Sequence, residues 1–551
     1  MVHVIRKFFE RHVHLFSIMS FVIGLFILIP MTNLLFVLFI PKNDIWRHIE
    51  QYLLFEYISN SLILMIGVAG ISMVLGFMSA YVIAKYQFRG RRLLSWMLVL
   101  PLAIPSYIAG YVYADMTSFT GTITRGLLQI GISSQINILN MTGAILIFAF
   151  TLYPYVYLLT LSGLSRQSVT YHENAVLMGA SPWRAFWTIT VPLSRPQLVA
   201  GTLLVILETL NDYGVVQYFN VRVFSFAIFN AWFSLGDIVS AIRLSLYLLV
   251  FVFVIIALEK FLRGNKQYNM PVKPKFKKRY PLKGYQAWVL PGILWVILGF
   301  GFIIPVSQLL IYASQTYRDH IDFRLLFSTM NSISNALIAG IFVLIFSLMM
   351  ANFGRGHQRS IGKKIWIRMS NLGYAIPGAV IAVAVHILFV DLDRLFVPIY
   401  RLLGIENRTL VLTMSAVTLV FAYILRFLSI GFNSIDGQYD KVGKKFTESA
   451  YMLGSSRLEA LIRIDLPLIY PGLISAFILI FIDIIKELPL TLILRPTNYH
   501  SLSTLIYVYA RDEMIQHAGV ASLLLILIAS ILIVMLTQYR KGMFKDVYTN
   551  D

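Results

Sequence analysis

Four carboxylates interrupt stretches that are otherwise apolar: Glu208 and Asp212 in one, and Asp483 and Glu487, with Lys486 beside them, 275 positions later. An ionisable group at the centre of a membrane helix costs about 2.5–3.5 kcal/mol on insertion scales, so it faces a cavity or a partner. Each acidic pair is spaced i, i+4, which on a helix puts both side chains on one face. That arrangement can line a polar path or its outer gate. The same residues permit a second reading, in which Lys486 pairs with Asp483 and ties helices together. Tyr107, Tyr111 and Asp115 form a third set, offering phenol and carboxylate oxygens near the outer side of the membrane. Oxygen donors suit hard cations, although tyrosines at a membrane interface equally form an aromatic belt.

The elements that position these residues follow from composition. Apolar residues fill 58% of the 551 positions and charged residues 13%, against about 45–50% and 25% in soluble domains. Apolar runs long enough to cross a roughly 30 Å hydrocarbon core predict twelve helices. In the first half they lie at about 15–40, 57–84, 93–114, 141–163, 198–219 and 241–262. In the second they lie at about 287–313, 332–353, 366–390, 409–430, 472–493 and 517–538. The expected fold is an all-α polytopic membrane protein of two six-helix halves. The formal charge of +20 does not point to nucleic acid, because Lys and Arg cluster between the apolar runs and no base-stacking aromatic motif accompanies them. Clusters at Arg6–Arg11, Lys85–Arg92, Lys260–Lys283, Arg355–Lys364 and Arg540–Lys545 instead read as cytoplasmic loops, which puts both termini in the cytoplasm. Absence of Cys removes disulfide and thiolate-metal chemistry.

The halves are repeats. Ile58-Ser59-Asn60 recurs as Ile333-Ser334-Asn335, and Ile104-Pro105 as Ile376-Pro377. Residues 1–262 form the first half, 263–286 a basic cytoplasmic linker and 287–551 the second half. The stretch from Lys260 to Lys283 carries nine Lys/Arg, no acid, and prolines at 271, 274 and 281, a composition for a solvated linker or for contact with anionic lipid headgroups. An even number of spans per half makes the repeats parallel, related by a pseudo-two-fold axis along the membrane normal, with a pathway between them.

Two polar loops repeat most closely. Glu173, Ala175, Gly179, Ile189, Pro192 and Pro196 recur as Glu448, Ala450, Gly454, Ile464, Pro467 and Pro471, every one 275 positions on. Each loop, at about 164–197 and 439–471, is expected to be a short helix, a tight turn at Gly, a second short helix and a proline-marked corner back into the membrane. Glu173 and Glu448 suit the positive end of a helix.

Glu-x-Ala, three residues, Gly and an Ile-x-x-Pro-x-x-x-Pro tail resemble the cytoplasmic coupling motif of ABC importer permeases. Asn174 and Ser449 stand where that family has the central Ala of its Glu-Ala-Ala opening. The resemblance extends over nearly the whole chain, as two fused permease halves of the type I importer kind. It implies that the loops dock on two copies of an ATPase at the cytoplasmic face, that ATP and Mg belong to that partner, that a periplasmic binding protein delivers the cargo, and that the membrane is a bacterial inner membrane. The stretch Glu208-Thr209-Leu210-Asn211-Asp212-Tyr213-Gly214 and the later Lys486-Glu487-Leu488-Pro489-Leu490-Thr491 with Leu494-Arg495-Pro496 are similar to the fused permeases of ferric-iron importers. Related permeases for thiamine and other small solutes share the architecture, and a secondary transporter with two six-helix halves is the rival class. The chain has no phosphate loop of its own: Gly356–Lys364 has five residues before Gly362 rather than four and ends Lys-Lys. Zinc-type His spacing, a nucleophile elbow and a Ser/Lys catalytic context are absent, so no cofactor is expected on this chain and no enzymatic activity.

Overall fold

The computed structural model describes residues 15–132, 136–166, 177–263, 279–356, 373, 375–404 and 410–545. Among these, ten helices are long and apolar enough to cross a membrane, and an eleventh crossing is made if a bent helix pair counts as one span. Local chemistry explains both departures from the expected twelve. The third expected span breaks into Arg91–Ala103 and Ser106–Met116, bent by 88°. Ile104 is extended (φ −93°, ψ 114°) and Pro105 follows at φ −55°, ψ 137°, because proline forces the residue before it out of the helical region. The ninth expected span, 366–390, falls partly outside the described residues. Its described part is the helix Gly378–Leu402, entered through Pro377 at φ −56°, ψ 143°. The repeated Ile-Pro thus opens a helix in the same backbone conformation in both halves. Asp391, Asp393 and Arg394 leave this helix too charged to be a simple span.

Two compact units emerge, and neither is a contiguous half of the chain. One collects the described residues of Met1–Lys42, Ile238–Leu246 and Phe323–Leu505; the other collects those of Asn43–Asp237, Tyr247–Asp322 and Ile506–Asp551. In the first unit, Leu15–Leu35 packs on Phe323–Gly356 and Gly378–Leu402, while Phe323–Gly356 also packs on Ala416–Val442 and Leu466–Lys486. In the second, Leu54–Lys85 packs on Met141–Arg166 and Val191–Asn211, and Ile304–His320 packs on the C-terminal helix Gly519–Lys545. The Leu54–Lys85 crossing is close: a Cβ at Gly76 would lie 2.6 Å from Val156 Cβ and 2.9 Å from the Tyr153 carbonyl. Small residues at such crossings let helices associate by van der Waals contact where lipid supplies no hydrophobic drive.

The described end of the basic linker is tied down. Tyr280–Pro281 pairs in parallel with Tyr86–Gln87, and Leu282 N–H donates to the Gln87 carbonyl at 3.2 Å. This two-residue ladder fixes where the linker rejoins the membrane domain.

Candidate functional sites

Both polar loops carry the same described geometry. Gly179 has φ +88° and Gly454 φ +89°, a left-handed conformation that glycine adopts without the Cβ penalty. A one-turn helix follows each, Pro182–Ala185 and Arg457–Ala460. Ser181 and Ser456 open these turns, their Oγ atoms accepting from Arg184 N–H at 3.2 Å and Glu459 N–H at 3.3 Å, as N-cap hydroxyls do. A π turn comes next, Phe186–Thr190 and Leu461–Asp465, and then the long helices Val191–Asn211 and Leu466–Lys486. Pro192 and Pro467 therefore do not make the expected corner. They sit in the first turn after a π turn, where the wider winding accommodates a residue with no N–H to donate. Each segment runs on as one 29-residue helix, Trp183–Asn211 and Leu458–Lys486.

In the second loop the helix Lys445–Met452 has Glu448 in its first turn and Ala450 buried. Ser455 N–H donates back to the Ala450 carbonyl at 3.0 Å, closing the turn around Gly454, and Thr447 Oγ1 donates to Asp465 Oδ1 at 2.6 Å. Glu173 and Ala175 lie outside the described residues. Immediately before each glycine stand two large apolar residues turned outward. Leu177 and Met178 are 84% and 88% exposed, and Met452 and Leu453 are 89% and 87% exposed. Each loop thus presents an exposed pair of large apolar side chains beside its glycine.

Two of the intramembrane acids, Asp212 and Glu487, occupy helix breaks rather than one helical face with Glu208 and Asp483. Val191–Asn211 ends at Asp212 (φ −69°, ψ 132°) and Leu466–Lys486 ends at Glu487 (φ −66°, ψ 118°). Because both residues are extended, neither shares a helical stripe with Glu208 or Asp483, contrary to the i, i+4 expectation. Their carboxylates instead start the next short helix. Asp212 Oδ1 accepts from Val215 N–H at 2.9 Å, and Glu487 Oε1 accepts from Leu490 N–H at 3.2 Å. Both backbone carbonyls are also engaged, Asp212 by Ser225 Oγ at 2.9 Å and Glu487 by Thr491 Oγ1 at 2.8 Å and Ser503 Oγ at 2.9 Å.

The two breaks differ in charge. Glu487 Oε2 lies 3.4 Å from Arg426 Nη2, with both side chains almost wholly buried. The residue 275 positions before Arg426 is Thr151, which is neutral. Sequence reasoning missed Arg426, although a guanidinium inside the apolar run 409–430 demands a partner as much as the acids do. Lys486 Nζ lies 3.5 Å from Asp483 Oδ1, an i, i+3 pair within the helix Leu466–Lys486 rather than the link between helices that the second reading of these residues expected. Glu208 is half-buried.

Tyr107 and Tyr111 are buried on the helix Ser106–Met116, 2% and 3% exposed, with ring centres 5.8 Å apart. Tyr111 packs at 4.8 Å on Tyr218, and Asp115 accepts from Tyr312 Oη. Among the described residues no group of three His, Asp or Glu is close enough to hold a metal ion. Tyr107, Tyr111 and Asp115 each make side-chain contacts within their unit.

Among the perturbed titratable groups outside the spans are His500 and Asp393. Burial, followed by the positive charges of Arg495 and Arg324, pushes the His500 imidazole down to about 4, and its Nδ1 lies 2.9 Å from Arg495 Nη1. Burial of Asp393 would raise its carboxyl. Hydrogen bonds from the Thr413 hydroxyl, Tyr400 Oη and the N–H groups of Thr413 and Leu412 outweigh that and hold it below the ordinary carboxylate value.

Residues 72–265 match the family of binding-protein-dependent transport system inner membrane components. The chain is 24% identical over 496 residues to the Fe(3+)-transport system permease protein FbpB 2 of Haemophilus influenzae, covering 88% of this chain and 90% of that protein. It is 31% identical over 145 residues to the sulfate transport system permease protein CysT of Escherichia coli, 26% of this chain and 51% of that protein. It is likewise 31% identical over 149 residues to the molybdenum transport system permease protein ModB of Haemophilus influenzae, 27% of this chain and 64% of that protein.

Proposed function

We propose that the chain is a fused two-half permease of the binding-protein-dependent ABC importers, a multi-pass membrane protein that works with a binding protein and an ATPase, and that its cargo is ferric iron. The observation that carries this reading is extent. Likeness to a ferric permease runs through both halves, whereas likeness to the sulfate and molybdenum permeases covers about a quarter of the chain. In this reading a periplasmic protein delivers Fe(III) to the outer face. Two copies of one ATPase seat on the apolar tips Leu177-Met178 and Met452-Leu453 and drive alternating access. ATP and Mg stay with that partner, the loops and both termini are cytoplasmic, and the membrane is the bacterial inner membrane. Asp212 and Glu487 terminate and restart helices at intramembrane breaks, Arg426 being the partner of Glu487, and such breaks line cavities in transporters. They are therefore the elements we assign to the pathway, with Glu208 and Asp483 one turn away and Lys486 next to Glu487.

The experiment is ATP-dependent uptake into proteoliposomes holding the permease, its ATPase and its binding protein, with labelled Fe(III), sulfate, molybdate and thiamine compared. Accumulation of iron alone supports the reading. Accumulation of an oxyanion or thiamine without iron overturns the cargo and keeps the mechanism, while uptake driven by an ion gradient without ATP overturns both.

A further inference from the structure

A groove of about 790 Å³ runs along the Leu54–Lys85 helix and meets the segment that follows Gly179. We propose that it binds one anionic phospholipid, with an acyl chain in the groove and the headgroup phosphate at Lys85.

The groove's floor is apolar: Met73, Val74 and Phe77 from one helix, Val191 and Leu198 from the other. From Met73 to Lys85 a helix rises about 18 Å, close to the roughly 15 Å depth of one leaflet's hydrocarbon. The groove thus has the length of an acyl chain and ends where a headgroup would sit.

At that end the lining becomes aromatic. Phe186 packs at 4.9 Å on Tyr81, at 5.9 Å on Trp183 and at 5.2 Å on Trp187. Both indoles remain largely exposed, 71% for Trp183 and 53% for Trp187. Amphipathic rings of this kind settle at the headgroup level. Lys85 Nζ is held by Tyr81 Oη at 2.5 Å and lies 5.6 Å from the centre of the Tyr86 ring, which fixes a cation at the mouth of the groove.

The charge around the mouth selects the headgroup. The strand pairing of Tyr86–Gln87 with Tyr280–Pro281 brings two basic segments together. Lys85, Arg89, Arg91 and Arg92 lie in one, Arg279 and Lys283 in the other, and neither 85–92 nor 279–283 contains an Asp or Glu. Such a cluster attracts anionic lipid. The other loop lacks the aromatic rim: Leu458, Leu461 and Ile462 stand 275 positions after Trp183, Phe186 and Trp187. The site is therefore expected once per chain. It requires only that the chain spans a bilayer and is independent of the cargo.

The test uses the full chain in nanodiscs of phosphatidylcholine alone or with phosphatidylglycerol, followed by native mass spectrometry of the lipid retained on release. Wild type should keep one phosphatidylglycerol in preference to phosphatidylcholine. Lys85→Gln should lower that retention about fivefold, the factor for one basic residue at an anionic surface. Val74→Trp, which fills the groove, should abolish retention, while Val254→Trp, at an exposed apolar position on another helix, should leave it unchanged. Monodisperse elution of all three variants checks folding. Equal retention of the two lipids, or retention indifferent to both Lys85→Gln and Val74→Trp, overturns the proposal. So does displacement of the lipid by added ATPase together with weakened ATPase binding by Val74→Trp, which would assign the groove to that protein.

Discussion

Arg426 and Glu487 face each other at 3.4 Å with 4% and 5% of their side chains exposed. Taking either partner away leaves a buried charge without its counter-ion, which costs about 3–5 kcal/mol. Arg426→Met should therefore destabilise the protein strongly. Adding Glu487→Gln, which removes the stranded charge and keeps an acceptor for Leu490 N–H, should recover most of the loss. Thermal unfolding of the four members of the cycle in detergent measures the coupling. A loss in the double variant equal to the sum of the two single losses would mean the pair is not coupled.

The loop glycines carry a sharper expectation. At φ near +88° proline, locked near −65°, cannot be accommodated without redirecting the loop. Gly179→Pro or Gly454→Pro should abolish substrate-stimulated ATP hydrolysis by the reconstituted complex, with membrane insertion and yield unchanged. Normal uptake in either variant would contradict a coupling role for the turn.

The outward apolar tips should be the centres of the partner contact. Leu177→Ser with Met178→Ser, and separately Met452→Ser with Leu453→Ser, remove side chains that are 84–89% exposed, so stability should change by less than about 0.5 kcal/mol. Association with the ATPase should weaken by about 2 kcal/mol or more per loop, as for centrally placed interface residues. Co-purification and titration of the ATPase against each double variant provide the readout, and undiminished binding would move the contact elsewhere.

Acid sensitivity should trace in part to His500. Its imidazole titrates near 4 in the folded protein against about 6.5 for an unperturbed histidine, so folding favours the neutral form. The corresponding stabilisation is fully present above about 6.5 and is lost as the pH falls toward about 4. Wild type should lose thermal stability across that window and His500→Gln should lose less. Parallel curves would remove His500 from the account.

Asp393 has the ordinary sign for a carboxylate. Its folded value is held below the usual one, so its contribution is present above about 3.9 and vanishes as the pH falls through the folded value. Asp393→Asn should be less stable at neutral pH, with the gap closing in strong acid, as followed by thermal unfolding.

Much of this was legible in the residues. The offset of 275 placed the repeated loops, and apolar runs placed most of the spans, because both depend on local patterns of hydrophobicity and turn chemistry. The breaks at Asp212 and Glu487 were not, since an apolar run reads alike whether its backbone is one helix or two helices joined by an extended residue. The same blindness hid the π turns that accommodate Pro192 and Pro467. The partnership of Arg426 with Glu487 spans 61 positions, and only tertiary packing brings it together. Ile104-Pro105 is the instructive middle case: the dipeptide was recognised as a repeat, yet the 88° bend it causes follows only when the conformational restriction before proline is applied to it.

The placement of Leu15–Leu35 against Phe323–Gly356 and Gly378–Leu402 has a consequence in time. Nearly 300 residues separate that helix from the first of its neighbours, so at about 5–20 residues per second some 15–60 seconds pass before they are synthesised. During that interval the helix must stay in the membrane without those two neighbours, which its exposed Phe21 and Phe26 and its lack of any charged residue allow. Packing of this helix against those two is therefore gated by translation of the second half, and a ribosome that stops at the linker leaves it inserted without either of them.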